Sequence, residues 1–523
     1  MNKYNLPIYF AIAVVIGIFI GVFFSGNSNS LLSFTKNSSQ EQKIKNLINF
    51  IEKDYVDDVN TEDLLDGAIT QMLGKLDPHS VYIPKENLQA VTESMQGNFV
   101  GIGVQFRMIN DSITVVQPIK GGPSIRAGIK AGDRILMANK DTLYGKNYRS
   151  AAVPKYLKGK PQTTVDLQVY RKSNDSLFKV NIKRGKVNIK SVDLAYMIND
   201  SVGYIKLDRF ARNTYTEFKT ALNTLKTAGM TDLVLDLRGN GGGFIEIANR
   251  VIDEFLDDKK LMVFTKDNKQ RIENFYATSM GSFQEGGLYV LIDENSASAS
   301  EIVAGALQDN DKGTIIGRRS FGKGLVQIEK DLGDGSAVRL TTARYYTPTG
   351  RSIQKPYSGN GNKNYYKDYQ QRVLSGELLS KDSIKVVDSL QYKTPKGKIV
   401  YGGGGIIPDV FVAIDTTSYM SNFYFNTINN FSFDYVDQNR KELSKWTIDN
   451  YISYFDENEV VFDKYLSSIK DRAKPSFKTK KSLKKYLKAS IANTLFGDVG
   501  FYRIMHQDDK MLQKVLELES NQE

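Results

Sequence analysis

The core of the fold is predicted by a short apolar run that leads into glycines, Leu233-Val234-Leu235-Asp236-Leu237-Arg238-Gly239-Asn240-Gly241-Gly242-Gly243. Residues 233–237 have the length and composition of a buried strand. Residues 288–292 and 313–317 repeat that pattern, and between them residues 297–307 carry apolar side chains at helical spacing. Strands that alternate with helices in this way predict an α/β core with its active-site loops at strand ends.

The composition excludes several kinds of catalytic site. The chain contains no Cys, which excludes disulfides, thiol nucleophiles and thiolate metal ligands. Its only two His are His79 and His506, whereas zinc sites and Ser-His-Asp triads normally need His. His79 follows an Asp-Pro turn and is expected to be structural. A hydrolytic site in this chain would therefore need another base.

The length and the charge of the chain limit its possible domain organisation and partners. At 523 residues it is too long for a single core, so about two to four domains are expected. The net charge is +11, and eight basic side chains lie between Arg472 and Lys488. Such a run is typical of a solvated helix face, with contact to anionic lipid or nucleic acid as the alternative. We expect no nucleic-acid partner.

The amino terminus has the pattern of a signal anchor. Lys3 precedes an uncharged apolar run from Ile8 to Phe24. That run of about 17 residues is near the lower limit for spanning a bilayer. No small-x-small cleavage site follows it clearly, so residues 1–26 are predicted to be an uncleaved anchor, with a cleaved signal peptide as the alternative. Residues 27–96 are predicted to form a helical amino-terminal region.

Residues 97–186 have the sequence pattern of a small β-rich domain. Strand patterns occur at 104–106, 113–116 and 164–170. Two motifs, Gly101-Ile102-Gly103-Val104 and Ala127-Gly128-Ile129-Lys130-Ala131-Gly132-Asp133-Arg134-Ile135, resemble those of PDZ domains from bacterial proteases. Small residues at 101 and 103 allow backbone N–H groups to approach a peptide carboxylate, and the strand that follows can pair with the peptide. Gly101, Ile102, Gly103 and Val104 are therefore the predicted substrate-binding residues, with Ile102 and Val104 as apolar walls.

Two further motifs have residues suited to nucleophilic catalysis. In Ser296-Ala297-Ser298-Ala299-Ser300-Glu301, serines meet the start of a helix, where the dipole and free N–H groups favour developing negative charge. By itself this motif is equally compatible with a simple helix cap. In Phe321-Gly322-Lys323-Gly324, a Lys stands between two glycines. Partial burial would lower the pKa of that Lys and allow it to act as a general base without His.

These motifs, in this order, resemble the carboxyl-terminal processing peptidases, also called tail-specific proteases or serine peptidase family S41. The resemblance extends over about residues 41–415 and includes Asp334-Gly335-Ser336, Tyr346-Thr347-Pro348-Thr349-Gly350 and Ile407-Pro408-Asp409. The family's spacing from Ser to Lys is met by 323 − 298 = 25, and its spacing from Lys to Gln by 327 − 323 = 4. This spacing selects Ser298 rather than Ser296 or Ser300.

The resemblance implies a role for each matching residue. Ser298 would be the nucleophile, Lys323 the general base, and Gln327 the group that orients the Lys amine. The N–H of Ala299 and one from Gly241–Gly243, of which we favour Gly242, would form the oxyanion hole. No metal and no organic cofactor is implied.

The family fold is a crotonase-like core built of ββα units, with the PDZ domain inserted after a helical amino-terminal part. The core is expected over 187–415. Residues 416–523 would be a helical extension of unknown role, with helical patterns over 440–462 and 482–519.

The implied activity is that of an endopeptidase that acts on proteins with free carboxyl termini. It would lie in the bacterial cell envelope, anchored in the inner membrane with its catalytic domain in the periplasm. A homo-oligomer or an adaptor protein is left open. The alternatives are a catalytically silent PDZ scaffold and a crotonase-type acyl-CoA enzyme, which shares the glycine-rich oxyanion hole.

Overall fold

The computed structural model of the chain describes residues 11–15, 17, 39–109, 111–145, 150–357, 363–416, 420–469 and 475–521. It divides into two compact units, Met1–Met72 and Leu73–Glu523.

Helices Ser39–Asp54 (α1) and Thr61–Gly74 (α2) begin in the amino-terminal unit, and α2 ends two residues past its boundary. The Asn60 side chain accepts hydrogen bonds from the N–H groups of Glu62 and Asp63, which caps α2 as its position before the helix predicts. The predicted anchor at residues 1–26 lies outside the described residues except for 11–15 and 17. Within the described ranges, no helix has both the length and the apolar character needed to span a bilayer.

The β-rich domain is reached through a short strand and a helix. These two elements are β1 (Val81–Ile83) and α3 (Lys85–Gln96). The elements of the domain itself, in chain order, are β2 (Asn98–Gly101), β3 (Val104–Ile109), β4 (Ser112–Pro118), α4 (Pro123–Arg126), β5 (Arg134–Ala138), β6 (Asp141–Thr142), α5 (Val153–Leu157), β7 (Thr164–Arg171), β8 (Ser176–Lys183) and β9 (Gly185–Asn188). Strands β3-β4-β5-β7-β8 form one antiparallel sheet, with β6 beside β5 and with β3 at one edge. The strands predicted from alternation at 104–106, 113–116 and 164–170 are confirmed.

The α/β core follows. Its elements are β10 (Val192–Met197), β11 (Val202–Leu207), α6 (Thr214–Thr227), β12 (Asp232–Asp236), α7 (Ile245–Asp253), β13 (Leu261–Asp267), β14 (Ile272–Tyr276), β15 (Gly287–Ile292), α8 (Ala299–Asp309), β16 (Thr314–Gly317), β17 (Leu325–Asp331), β18 (Ala337–Tyr346), α9 (Lys363–Tyr366), α10 (Asp368–Leu374), β19 (Gln391–Lys393), β20 (Ile399–Tyr401) and β21 (Val410–Phe411).

The central sheet has the order β10-β11-β12-β15-β16-β21 and is parallel from β11 to β21. Alternate residues of β12 face opposite layers, since Leu233 and Leu235 pack with helices α6, α7 and α8 while Val234 faces the other side. The three strands predicted from apolar runs are confirmed as β12, β15 and β16. A second sheet has the order β1-β18-β13-β14, with β17 paired to β18.

The carboxyl-terminal extension is helical, as predicted. Its helices are α11 (Asn422–Leu443), α12 (Ile448–Glu457), α13 (Val460–Ser468), α14 (Phe477–Phe496), α15 (Asp498–Met505) and α16 (Lys510–Ser520). The helical patterns predicted over 440–462 and 482–519 are confirmed, and each range is divided into shorter helices. The Thr447 side chain accepts from the Asn450 N–H to begin α12, and Gly497, with φ 70°, separates α14 from α15.

Candidate active site

The three alternating serines at the start of α8 have different environments. Ser296 and Ser300 are buried, and their hydroxyls donate to the carbonyl oxygens of Leu237 (2.8 Å) and Asn240 (2.9 Å). Ser298 is the N-cap of α8 and is only half-buried. Two of the serines therefore hold the glycine-rich turn, and the structure leaves Ser298 as the one available to a substrate.

The backbone of Ser298 is strained. Its φ of 57° lies in the left-handed region, which a non-glycine residue adopts at a cost of about 1–3 kcal/mol. Such a conformation persists only where the surroundings fix it, and here two side chains do so.

The first of these is Glu301, the third residue of α8, which is fully buried. Its carboxylate accepts four hydrogen bonds: from the N–H groups of Ser298 (2.9 Å), Lys323 (2.8 Å) and Gly322 (2.7 Å) and from the Ser320 hydroxyl (2.5 Å). Burial raises the pKa of Glu301 above its ordinary value, although these four bonds oppose the shift. One carboxylate thus holds the Lys323 loop against Ser298. The position of Glu301 in the serine motif does not by itself indicate this role.

The second is Tyr345 on β18, which is 1% exposed. Its hydroxyl lies 3.1 Å from the Ser298 carbonyl oxygen and 2.8 Å from the Lys323 carbonyl oxygen. The N–H groups of Ser298 and Lys323 therefore share one acceptor, and their carbonyls share one donor.

The Lys323 side chain is held by Gln327. The Lys323 Nζ donates to Gln327 Oε1 at 2.9 Å, and Gln327 Nε2 donates to the main-chain oxygen of His79 at 2.5 Å. Burial lowers the pKa of Lys323, and the positive charge of Arg339 adds to that shift. Across the described residues, no hydrogen bond joins Ser298 Oγ to Lys323 Nζ, although the backbones of both residues are fixed by Glu301 and Tyr345.

His79 belongs to this site through its main chain. Its ring Nε2 lies 2.7 Å from the Tyr365 hydroxyl, and burial together with the nearby Lys323 lowers its pKa to about 4, so the ring is neutral at pH 7. The turn that carries it is fixed to β18, because Asp77 accepts from Ser80 and from the Thr341 hydroxyl (3.1 Å). No sequence pattern indicated that a carbonyl at position 79 would orient Gln327.

Gly242 lies directly against Ser298. A Cβ built there would be 2.8 Å from the Ala297 carbonyl oxygen, 2.8 Å from Ser298 Cβ and 2.9 Å from the Ala299 nitrogen, and φ is 102°. Only glycine allows this approach of the turn to the start of α8.

The two predicted oxyanion donors differ in availability. The Ala299 N–H is in the first turn of α8, where helical N–H groups have no intrahelical acceptor, and no described residue accepts from it. The Gly242 N–H donates to Asn240 Oδ1 at 2.8 Å. The preference for Gly242 as donor therefore does not fit this conformation, because an Asn side chain closes the turn onto that N–H. Gly241 and Gly243 are the other members of the predicted range.

The predicted peptide-binding segment joins β2 to β3. Gly103 has φ 77°, and the N–H groups of Ile102 and Gly103 make no backbone hydrogen bond within the described residues. The Ile102 carbonyl accepts from the Ser124 N–H (2.8 Å), which fixes the loop. The Ile102 side chain is 1% exposed and packs in the domain core, so it does not form the expected apolar wall; Val104 is half-buried at the edge strand.

No group of His, Asp and Glu side chains suited to holding a metal ion occurs in the described part of the chain.

Four family models match the chain. Peptidase family S41 matches residues 201–359, the PDZ domain 100–182, and the activating protease CtpB N-terminal domain 24–87. A family of unknown function (DUF8443) matches 419–497.

Curated relatives and a solved structure are also similar. A "Carboxy-terminal-processing protease" of Bartonella bacilliformis is 36% identical over 351 residues, 65% of this chain and 80% of that protein. A "Probable CtpA-like serine protease" of Staphylococcus aureus is 36% identical over 346 residues, 65% of this chain and 67% of that protein. The photosystem II D1 C-terminal processing protease structure is 26% identical, with 72% of this chain and 88% of that chain covered and a TM-score of 0.37.

Proposed function

Because this chain belongs to the S41 family of carboxy-terminal-processing serine proteases, we propose that it cleaves proteins through a Ser298/Lys323 dyad. Membership of this family excludes the acyl-CoA enzyme considered from sequence. The observation that carries the dyad is the shared clamp, in which Glu301 accepts from both backbone N–H groups and Tyr345 contacts both carbonyls.

Lys323 acts as the general base in its neutral form. It takes the proton of Ser298 Oγ as that oxygen attacks the scissile carbonyl carbon, and it returns the proton to the leaving amine as the C–N bond breaks. A water molecule then attacks the acyl-enzyme ester and loses its proton to Lys323. Lys323 returns that proton to Ser298 Oγ as the ester C–O bond breaks and the carboxylate product is released. Burial supports this role because it lowers the pKa of the amine.

Two elements assist the reaction. Gln327, bonded to Lys323 Nζ and to the His79 carbonyl, fixes the direction of the amine. The oxyanion accepts from the Ala299 N–H and from one N–H of 241–243. A rotation of the Ser298 or Lys323 side chain brings Oγ and Nζ into contact, a tightening that catalytic hydrogen bonds commonly show when substrate binds.

The PDZ domain selects substrates by their carboxyl termini. The N–H groups of Ile102 and Gly103, which make no backbone hydrogen bond within the described residues, bind the terminal carboxylate of the substrate. Strand β3, at the edge of its sheet, pairs with the peptide backbone. The apolar run Ile8–Phe24 anchors the protein in the bacterial inner membrane, with the catalytic unit in the periplasm.

The missing Ser298–Lys323 hydrogen bond is the one observation that favours a second function, a catalytically silent PDZ scaffold. One experiment separates the two. The full chain in detergent is treated with a fluorophosphonate probe, and cleavage of a protein with an apolar free tail is followed.

Ser298→Ala and Lys323→Ala are each expected to lower cleavage by about 10³-fold or more while the protein stays folded, because nucleophile and base act as a unit. Lys312→Ala is the matched control, since Lys312 is another half-buried Lys whose pKa is lowered by burial and whose Nζ donates to the Gly286 carbonyl. A wild-type protein that is neither labelled nor active would support the scaffold. Near-normal cleavage by Lys323→Ala would refute the dyad.

A further inference from the structure

The last helix of the extension is part of the catalytic core. Helix α16 packs on the face of the central sheet opposite to α8, and one apolar cluster contains residues from both: Met511, Leu512 and Val515 from the helix with Tyr204, Val234, Tyr289, Leu291 and Ile316 from the strands. Without α16 these strand residues would face solvent, so the extension completes the second layer of the fold.

The residue that begins α16 makes two kinds of contact. Asp509 Oδ1 accepts from the N–H groups of Met511 (2.9 Å) and Leu512 (3.3 Å) and so caps the helix. Asp509 Oδ2 accepts from Arg238 Nη1 at 2.7 Å. The helix cap uses only Oδ1 of Asp509. The other oxygen, Oδ2, pairs with Arg238 of the α/β core, which lies 271 positions earlier in the sequence.

Arg238 is held between two carboxylates. On the side opposite Asp509, its Nη2 and Nε donate to Asp236 at 2.6 and 3.0 Å. Asp236 is 1% exposed and also accepts from the Tyr204 hydroxyl at 2.6 Å. Burial would raise the pKa of Asp236, but Arg238 and Lys206 outweigh burial and hold it well below its ordinary value. The guanidinium therefore has one fixed orientation in a low-dielectric setting.

Arg238 leads directly into the turn that touches the nucleophile. The Gly239 N–H donates to Asp293 Oδ1 at 3.0 Å, and the Asn240 carbonyl accepts from the Ala297 N–H at 3.0 Å. Gly242 then lies against Ser298. Arg238 immediately precedes the turn 239–243, so a change in the orientation of its side chain can displace the backbone of that turn.

We propose that Asp509 is a positioning residue of the peptidase site, acting through Arg238 on the turn 239–243, so that the carboxyl-terminal segment 498–520 is a working part of the catalytic unit. The inference rests on the proposed function, because it takes Ser298 as nucleophile. Loss of the Asp509 charge leaves Arg238 with a single partner and lets the turn shift. A misplacement of about 1 Å at a reacting group can cost about 10²-fold in rate.

The test uses Asp509→Asn in the full chain. Asn is as good an N-cap as Asp, so the variant keeps the cap of α16 through its oxygen, while its NH₂ group replaces both the charge and the acceptor opposite Arg238. The matched control is Asp508→Asn, one position earlier, whose carboxylate is 61% exposed and pairs with Lys485 at 3.1 Å. Steady-state cleavage, the rate of fluorophosphonate labelling of Ser298 and the unfolding midpoint are measured for each.

For Asp509→Asn, kcat and the labelling rate are expected to fall by about tenfold to a hundredfold with KM within about twofold, because the turn acts in the transition state rather than in binding. The unfolding midpoint should stay close to that of the wild type, and Asp508→Asn should match the wild type in every measurement. Asp509→Glu, which restores the charge, should recover part of kcat. Arg238→Gln should add little to the loss of Asp509→Asn, since the two act as a pair.

Three results would overturn the proposal: an unchanged kcat for Asp509→Asn, an equal loss for Asp508→Asn, or a loss that follows the unfolding midpoint and is not recovered by Glu. Failure of the proposed function is a different result, since the wild type itself would then show no Ser298-dependent cleavage.

Discussion

Replacement of Glu301 by Gln tests whether one buried carboxylate holds the nucleophile and the base together. The change keeps the shape of the side chain and one acceptor oxygen. It places an NH₂ group where two donors now point, either Ser298 N–H and Lys323 N–H or the Gly322 N–H and the Ser320 hydroxyl. Two hydrogen bonds are lost in the first orientation, and at least that of the Gly322 N–H is lost in the second, where the Ser320 hydroxyl can turn to accept from the NH₂ group.

The magnitude follows from those contacts. Hydrogen bonds to a charged group contribute about 1.5–3 kcal/mol each, so two of them give about 3–6 kcal/mol as an upper bound. The pKa of Glu301 is raised by burial, and a neutral Gln avoids that desolvation cost. We therefore expect a loss of about 2–4 kcal/mol in the free energy of unfolding. Because the Lys323 loop loosens against Ser298, kcat should fall by about 10²-fold.

The assay combines denaturant unfolding with cleavage of a tailed substrate at a temperature where all variants are folded. Glu254→Gln is the control, since Glu254 is 1% exposed, lies in the same core and accepts from Lys219 (2.6 Å) and Tyr215 (2.6 Å), none of which is a candidate site residue. It should lose stability and keep its kcat. If Glu301→Gln kept wild-type kcat, or if Glu254→Gln lost as much, the positioning role of Glu301 would be wrong.

Three further predictions follow from the site and the PDZ domain. Since only the neutral amine is competent and burial lowers the pKa of Lys323, kcat/KM should rise with pH through that lowered pKa and then level off; a flat pH–rate profile of the folded protein from mildly acidic to alkaline conditions would contradict this. Tyr345→Phe removes the hydroxyl bonded to the Ser298 and Lys323 carbonyls and should lower kcat about tenfold with little change in KM, measured by steady-state cleavage; a change confined to KM would contradict it. Amidation of a substrate tail, or Gly103→Glu, should weaken cleavage by about tenfold to a hundredfold, about 1.5–3 kcal/mol, while probe labelling of Ser298 persists; equal cleavage of amidated and free-acid tails would refute carboxylate capture.

Features that depend on local sequence pattern, such as buried strands, can be predicted from the sequence. Apolar runs identify β12, β15 and β16, because a strand buried on both faces must be apolar throughout. The resemblance to the S41 family, through its Ser-to-Lys and Lys-to-Gln spacing, distinguishes Ser298 from its neighbours and relates it to Lys323 and Gln327. The role of Gln327 beside the Lys323 amine is implied by the resemblance to that family, and the structure places Gln327 Oε1 2.9 Å from Lys323 Nζ.

The hydrogen-bond partners of Gln327, Gly242 and Arg238 depend on tertiary packing and cannot be predicted from local sequence. The Gln327 side chain is bonded to a main-chain carbonyl 248 positions away, and a carbonyl leaves no trace in a sequence. The Gly242 N–H is occupied by Asn240, which depends on the rotamer of one side chain. The Arg238–Asp509 pair forms because the chain returns to cover the sheet after 271 residues. Local propensity specifies strands and turns, whereas a hydrogen bond between distant residues is fixed only when packing brings donor and acceptor within about 3 Å.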